Sequence, residues 1–259
     1  MYMWFEDHLR SLKEPEPHQK IWAQNPKKLT ILFIESDRPE MSKYNLWNIA
    51  HVYGGTDVGL HIICSPRNLE AMREHTQDWT NVVITWDTLN SREDFSRFIT
   101  SIEFYRRFVS SHILVTSWDA YIFRKIDEKY FEYDYVGAPF LGSLIDPTSI
   151  QQTSDITKGP RIGNGGFSLR KVKACYEYSL QNQYKTRHPD DVFLAFANLK
   201  VPSVRDAYDF AVECKLYDET PPTLPVGMHK IWDRRISPHI PESDFFNEED
   251  FKRWYNIKT

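Results

Sequence analysis

The stretch KKLTILFIESD, residues 27–37, is a continuous apolar run that ends abruptly in polar residues. An apolar run without alternation is typical of a strand that is buried on both faces of a sheet. Similar runs recur in GLHIICS (59–65), NVVITWD (81–87) and HILVTSWDA (112–120), and helical patterns separate them. This alternation predicts an α/β fold with a mainly parallel sheet and right-handed crossovers.

One long segment, residues 90–111, has apolar side chains at helical spacing. It begins with Ser91 and Asp94, a pair that resembles a capping box, and its apolar face extends to Val109. We therefore predict a single helix there. Residues 202–213 are compatible with a helix or with a strand, so both interpretations stay open at this point.

The two ends of the chain carry helical patterns outside this alternation. Residues 1–13 have helical apolar spacing and precede a proline-containing linker, while Asn247 stands where the N-cap of a terminal helix is expected. We predict three parts in all. These are an N-terminal helix and linker over 1–25, a single α/β domain over 26–235 and a C-terminal helical tail over 236–259.

Composition and charge argue against several classes of protein. The net charge of −4 argues against a nucleic-acid-binding protein, which usually presents a basic surface. The apolar run 29–34 is far too short to span a bilayer, and the N-terminus lacks the apolar region of a signal peptide. Cys64, Cys175 and Cys214 are odd in number and widely spaced, which is typical of free thiols in a reducing compartment. We expect a soluble cytoplasmic protein, and the sequence leaves its oligomeric state open.

The motif RIGNGGFSLRK, residues 161–171, contains three of the ten glycines in the chain. Gly163, Gly165 and Gly166 surround Asn164. A glycine cluster indicates either a backbone with positive φ, as in a tight turn or bulge, or a backbone that another group must approach closely. The local pattern is compatible with both interpretations.

Polar residues follow three of the predicted strands at the edge where ligands bind in open α/β sheets. Glu35 and Asp37 follow the first strand, Asp87 follows the third, and Asp119 follows the fourth. An acidic residue after a strand is commonly a turn or cap residue, and we interpret Asp37 and Asp87 in this way. Asp119 instead stands between two apolar stretches, where a carboxylate could hold a divalent metal ion.

A wider set of motifs now carries a resemblance to a known family. In chain order these are SWDA (117–120), YDYVGAPF (133–140), GNGGFSLRK (163–171), HPDDVFL (188–194), DFAVE (209–213) and GMHKIW (227–232). The set resembles a GT-A-type glycosyltransferase family of bacteria and viruses, and its layout is similar to that of metal-dependent β-galactosyltransferases. The resemblance implies a GT-A-like, Rossmann-like fold, in which a mixed and mainly parallel sheet is flanked by helices.

The resemblance also implies a donor site with a divalent metal ion, Mn²⁺ or Mg²⁺. It places the metal ligands at Asp119 and His229, an oxygen and nitrogen pair that suits Mn²⁺ and is acceptable for Mg²⁺. Such an ion would neutralise the diphosphate that leaves from a nucleotide sugar. The residues expected near the donor are Glu35, Arg38, Gly163, Asn164, Gly165, Gly166 and Lys230. For Glu35, Arg38 and Lys230, an ordinary surface role is an equal alternative.

The acidic pair Asp190 and Asp191 matches the family position of the catalytic carboxylates. The acceptor hydroxyl must lose a proton as it attacks the anomeric carbon, and a carboxylate is the usual general base. We assign Asp191 as the base and Asp190 as an acceptor-binding residue, which implies inversion through an oxocarbenium-like transition state. The predicted activity is transfer of a sugar from a nucleotide-sugar donor to a hydroxyl of a glycan or glycoconjugate. The long polar stretch 141–160 is a candidate lid over the bound donor.

The chain departs from the usual DxD signature, because Ser117 stands where the other acidic residue would be. This departure keeps open a non-catalytic nucleotide-sugar or glycan-binding module on a degenerate GT-A scaffold. A phosphoryl or nucleotidyl transferase would need clustered carboxylates for two metal ions, and a purely structural protein would need neither His229 nor Asp191. The acidic pair favours catalysis, because a pure binding module needs no base.

Overall fold

The structure is a computed structural model that describes residues 3–140, 162–184, 189–195, 197–216, 219–230 and 246–258. Within these ranges the strands are β1 Leu29–Glu35, β2 Gly59–Cys64, β3 Val83–Trp86, β4 His112–Ser117, β5 Ala120–Ile122, β6 Tyr135–Gly137, β7 Ser168–Lys171, β8 Ala211–Val212 and β9 Gly227–His229. The α-helices are α1 Met3–Ser11, α2 Pro39–Tyr53, α3 Leu69–His75, α4 Arg92–Ile99, α5 Ile102–Tyr105, α6 Val172–Gln181, α7 Asp190–Ala195, α8 Val204–Phe210 and α9 Glu248–Lys258.

Six strands form the main sheet in the order β3-β2-β1-β4-β7-β6. The first four strands in that order are parallel, and β7 then runs antiparallel to both of its neighbours. The mainly parallel α/β sheet predicted from the apolar runs is therefore confirmed, and the antiparallel β7 makes it the mixed sheet that the resemblance implied. The carboxyl ends of β1 and β4 lie side by side, with Ile34 paired to Ser117.

Both faces of the main sheet are covered, which explains why the strand sequences are apolar without alternation. Ile31 and Phe33 of β1 pack on one face, in a cluster with Leu46 of α2. Leu32 and Ile34 of the same strand pack on the opposite face, in a cluster that includes residues of α4, α5 and α6. Successive side chains of one strand thus stabilise two separate helical layers.

The prediction of one helix over residues 90–111 is wrong. The segment forms two helices, α4 and α5, separated at Thr100 and Ser101. The Thr100 hydroxyl donates a hydrogen bond to the Ser96 carbonyl (2.7 Å), and Ser101 Oγ accepts from the Phe104 amide (3.1 Å) to cap the second helix. Val109, predicted on the buried face, follows α5 and is 75% exposed.

A smaller sheet adjoins the main one, in the order β5-β9-β8. It resolves the ambiguity of residues 202–213, which form α8 followed directly by β8. Strand β9 pairs antiparallel with β5, with Ala120 opposite His229, and parallel with β8. This sheet brings β9 beside the connection that follows β4.

Helices from both chain ends pack together against the smaller sheet. Phe5 and Leu9 of α1 share one buried cluster with Phe251 and Trp254 of α9. Asn247 caps α9 as predicted, because its Oδ1 accepts from the Asp250 amide at 3.0 Å. The domain boundaries stay a prediction, and the predicted lid over 141–160 lies outside the described residues. No helix in the described ranges is both long and apolar enough to cross a membrane.

Candidate active site

Asp119 lies in the two-residue connection between β4 and β5, beyond the carboxyl end of a central strand. The residue is only 5% exposed. The hydroxyl of Ser117 donates to Asp119 Oδ1 at 2.5 Å. Ser117, which replaces the other acid of the usual signature, therefore hydrogen-bonds the remaining acid rather than adding a second charge beside it.

His229 is the last residue of β9 and is brought to Asp119 by the pairing of β9 with β5. The distance from His229 Nε2 to Asp119 Oδ1 is 3.5 Å. Lys230 follows with a φ of +49°, a conformation that costs a non-glycine residue about 1–3 kcal/mol. This turn places Lys230 Nζ 3.4 Å from Asp119 Oδ2, and the Lys230 amide donates to the Asp119 carbonyl at 3.1 Å.

Glu213 completes this buried group, and it is not among the site residues predicted from the sequence. It directly follows β8, which runs parallel to β9, so continuing the register sets it beside His229. Glu213 Oε1 lies 3.2 Å from His229 Nδ1. The side-chain amide of Asn164 donates to Glu213 Oε2, and the Gly166 amide donates to Asn164 Oδ1 at 3.1 Å. One signal in the sequence was available, because Glu213 interrupts an otherwise apolar stretch.

The charges in this group shift the pKa values of its members in opposite directions. Burial alone would raise the pKa of Asp119, but His229 and Lys230 outweigh burial and hold it well below its usual range. Burial alone would lower the pKa of His229, but the Asp119 and Glu213 carboxylates outweigh it and raise the pKa to about 9. Asp119 is therefore a carboxylate at neutral pH.

The glycine motif is explained by close approach rather than by positive φ. A Cβ at Gly166 would lie 2.1 Å from the His229 ring, and a Cβ at Gly165 would lie 3.0 Å from Asp190 Oδ2. Among the described glycines, only Gly55 has positive φ. Adjacent glycines thus pack against two different groups, the Asp119–His229 pair and the acidic pair of α7.

We expect Gly166→Ala to destabilise the protein through contact with the His229 ring. Overpacking a filled site typically costs about 1–3 kcal/mol. The free energy of unfolding in urea checks this, measured for Gly166→Ala in the wild-type protein and in the His229→Ala variant. The penalty of Gly166→Ala should largely disappear in the double variant, because the ring is gone. An equal penalty in both backgrounds would place the strain elsewhere.

The acidic pair lies at the start of α7. Asp190 is 7% exposed, and its Oδ2 pairs with Arg170 at 3.1 Å. Asp191 is partly exposed, and its Oδ1 accepts from the Val192 amide at 2.7 Å. Burial, followed by repulsion from Asp190, raises the pKa of Asp191 to about 7.

Arg170 of β7 is fully buried. Its guanidinium contacts Ser168 Oγ at 3.0 Å as well as Asp190. A buried guanidinium that is bonded to one acid of the pair differentiates the two acids. Asp190 is engaged inside the protein, whereas Asp191 lacks this cationic partner. The pairing therefore leaves Asp191 as the better-suited proton acceptor.

Two predicted donor-site residues have other roles in the structure. Glu35 is fully buried, and its carboxylate accepts from the Asp37 and Arg38 amides and from Ser42 Oγ, the last at 2.6 Å. It closes the turn after β1, so the assignment of Glu35 to the donor is corrected. Asn164 uses its amide and its Oδ1 inside the protein, so it positions Glu213 instead of presenting its side chain to a sugar.

The remaining predicted residues lie around the same edge of the sheet. Arg38 pairs with Glu6 at 3.0 Å, and its guanidinium lies 5.0 Å from the centre of the Trp118 ring, beside Asp119. The Gly163 carbonyl accepts from the Tyr135 hydroxyl at 2.7 Å. The structure therefore gathers Asp119, His229 and Lys230 directly, with the acidic pair on the other side of the glycine motif.

Residues 78–229 match the model of a family described as a protein of unknown function, DUF5672. The chain belongs to the DUF5672 family. The matched span begins before β3 and ends at His229, so it includes Asp119, the glycine motif, the acidic pair and Glu213. No curated protein sequence matches this DUF5672 chain.

Comparison with solved structures supports the GT-A-like architecture of the DUF5672 chain. Galactosyltransferase LgtC in complex with donor and acceptor sugar analogues has a TM-score of 0.50 at 15% identity. An active-site mutant of LgtC has a TM-score of 0.52 at 12% identity, and each comparison covers 83% of this chain and 98% of LgtC. At these identities the likeness shows the fold alone, and it confirms the predicted GT-A-like class.

A third solved structure is similar over part of its length. Mannosyltransferase PcManGT from Pyrobaculum calidifontis, in complex with GDP-Man and Mn²⁺, has a TM-score of 0.44 at 12% identity. The comparison covers 78% of the DUF5672 chain and 62% of the mannosyltransferase.

Proposed function

We propose that this DUF5672 protein is a glycosyltransferase that moves a sugar from a nucleotide-sugar donor to a hydroxyl of a glycan or glycoconjugate. One observation carries the proposal. The buried pair Asp119 and His229 and the acidic pair of α7 lie on either side of Gly165 and Gly166, at the carboxyl end of the main sheet. The LgtC-like fold is compatible with such a site, although a fold does not by itself imply an activity.

Asp119 and His229 fit a divalent cation. Their facing atoms are 3.5 Å apart, and the pair combines a carboxylate oxygen with an imidazole nitrogen, which suits Mn²⁺ and is acceptable for Mg²⁺. In the described part of the chain, no group of three or more histidine, cysteine and acidic side chains forms a metal site. We propose that phosphate oxygens of the donor and water complete the ligand set. When bound, the ion would supply Lewis-acid stabilisation of the leaving diphosphate.

The protein residues around this pair have distinct proposed roles. Lys230, held in its strained turn 3.4 Å from Asp119, adds positive charge where the diphosphate departs. Gly165 lets the backbone lie close to the acidic pair of α7, and Gly166 lets it lie close to the His229 ring. Asp191 accepts the proton of the acceptor hydroxyl at its carboxylate, and a base on the face opposite the leaving group leads to inversion.

The test is calorimetric titration with a panel of nucleoside diphosphates and nucleotide sugars, each with and without Mn²⁺. We expect one nucleotide to bind in a metal-dependent manner, and Asp119→Asn to abolish the metal dependence. Asp78→Asn is a matched control, because Asp78 pairs with Lys20 near the start of β3, at the opposite edge of the sheet. Binding should survive in this control.

Two outcomes would overturn the proposal. Absence of binding by every nucleotide, with or without Mn²⁺, would remove the donor site. Metal-dependent binding without transfer to any glycan acceptor in a broad panel would instead identify a non-catalytic binding module. Location in the cytoplasm stays a prediction from the sequence.

A further inference from the structure

We propose that Glu213 is a positioning residue that orients His229 with Nε2 toward Asp119 and favours the tautomer that carries its proton on Nδ1. The inference rests on the proposed function, because it concerns the imidazole that would share a divalent cation with Asp119. Neither the sequence motifs nor the resemblance assigned Glu213 a role.

The imidazole ring offers its two nitrogens to two different carboxylates. Glu213 Oε1 lies 3.2 Å from Nδ1, and Asp119 Oδ1 lies 3.5 Å from Nε2. A cation at Nε2 would take the lone pair of that nitrogen, so the ring would keep its one proton on Nδ1. Nδ1 faces the Glu213 carboxylate, whose charge favours a proton there. Glu213 therefore lies beside the nitrogen opposite the one that would hold the cation.

Glu213 is itself held in place by the glycine motif. It is 5% exposed, and its other oxygen accepts from the side-chain amide of Asn164. Asn164 Oδ1 in turn accepts from the Gly166 amide. The same glycine leaves no room for a Cβ beside the ring, so the imidazole is confined on that side as well. The motif thus supports His229 through both the carboxylate and the backbone.

This arrangement is what a rigid metal-ligating histidine requires. A carboxylate behind such a histidine fixes the ring orientation and raises its basicity as a ligand, and losing it typically costs about 10–100-fold in metal affinity. Glu213→Gln keeps the shape of the side chain but removes its charge. If the glutamine oxygen accepts from the Asn164 amide, its NH₂ group faces Nδ1 and cannot accept a proton from it. We therefore expect Mn²⁺ affinity to fall by about 10-fold or more in this variant.

The experiment uses the full chain and MnCl₂ alone, with free Mn²⁺ counted by electron paramagnetic resonance. Glu128→Gln is the matched control, since this glutamate is exposed and pairs with Lys28 at the surface. Its affinity should equal that of the wild type. If Glu213→Gln fails to fold, Asn164→Ala tests the same chain of contacts, and a smaller loss of affinity is expected.

A second readout separates positioning from general stability. Long-range ¹H–¹⁵N spectra of the metal-free protein, recorded above the His229 pKa of about 9, report which nitrogen of the neutral ring carries the proton. We expect the Nδ1-protonated tautomer in the wild type and a mixture of tautomers in Glu213→Gln. An unchanged Mn²⁺ affinity together with an unchanged tautomer would overturn the inference.

Failure of the inference and failure of the proposed function give different results. If Asp119→Asn removes the Mn²⁺ site while Glu213→Gln retains wild-type affinity, the metal site stands and the role of Glu213 is wrong. If the wild type and Asp119→Asn bind Mn²⁺ equally weakly, the inference is overturned, while the calorimetric panel of nucleotides with and without Mn²⁺ decides the proposed function separately.

Discussion

Replacing Asp191 by asparagine is expected to lower the rate of sugar transfer by about 10²–10⁴-fold, the usual contribution of a general base. Donor binding should stay within about twofold of the wild type, because Asp191 lies against Gly165, whereas the Asp119–His229 pair lies against Gly166. Transfer is measured by release of nucleoside diphosphate, and donor affinity is measured by calorimetry on the same sample. Normal transfer by Asp191→Asn would show that another group accepts the proton.

The pH dependence of transfer follows from the same residue. Burial and the neighbouring Asp190 raise the pKa of Asp191 to about 7, so the carboxylate is protonated and inactive as a base at lower pH. The rate should therefore rise with pH through about 7 and then level off.

The stability of the fold should depend on the same carboxyl group. A carboxyl group whose pKa is raised by folding favours the native state at low pH. This contribution is lost as the pH rises from the pKa of the unfolded chain through the folded pKa of about 7. Asp191→Asn should remove that dependence without loss of stability at neutral pH.

Replacing Arg170 by methionine is expected to destabilise the protein by about 3–5 kcal/mol, the usual cost of removing one partner of a buried ion pair. Arg170 is fully buried, and Asp190 would be left as a buried carboxylate without its guanidinium partner. The free energy of unfolding is measured by urea titration with tryptophan fluorescence.

Two further variants make this prediction specific. Arg97→Met breaks an exposed ion pair with Glu93, whose side chain is 51% exposed, and should change stability by no more than about 0.5 kcal/mol. Adding Asp190→Asn to Arg170→Met should recover part of the loss, because the unpaired charge is gone. A loss as small as that of Arg97→Met would mean that the guanidinium contributes packing alone.

Local sequence patterns determined the architecture because burial on both faces of a sheet demands apolar residues at every position of a strand. Ile31 and Leu32 are neighbours in the sequence and pack in different layers. The need for apolar residues at both positions can be recognised from the strand sequence without knowing what packs against it. The cap at Asn247 was predictable because its partner Asp250 is only three residues away in the chain. The break between α4 and α5 was missed because the Ser101 cap competes with a continuous apolar face.

Some residues of the candidate site could likewise be predicted from the sequence, and others could not. Asp119, His229 and the acidic pair were found through motifs that the chain carries in order. The structure showed that Glu35 closes a local turn with the Asp37 and Arg38 amides. Tertiary structure alone decided that Glu213 lies beside His229. Glu213 and Asn164 are 49 residues apart in the chain, and only the pairing of β8 with β9 brings Glu213 to the histidine. The sequence by itself determined which residues have the chemistry to bind a metal ion or to accept a proton. The folded chain decided which of them meet, because the partners of His229 are set by the pairing of β9 with β5 and β8 and not by local pattern.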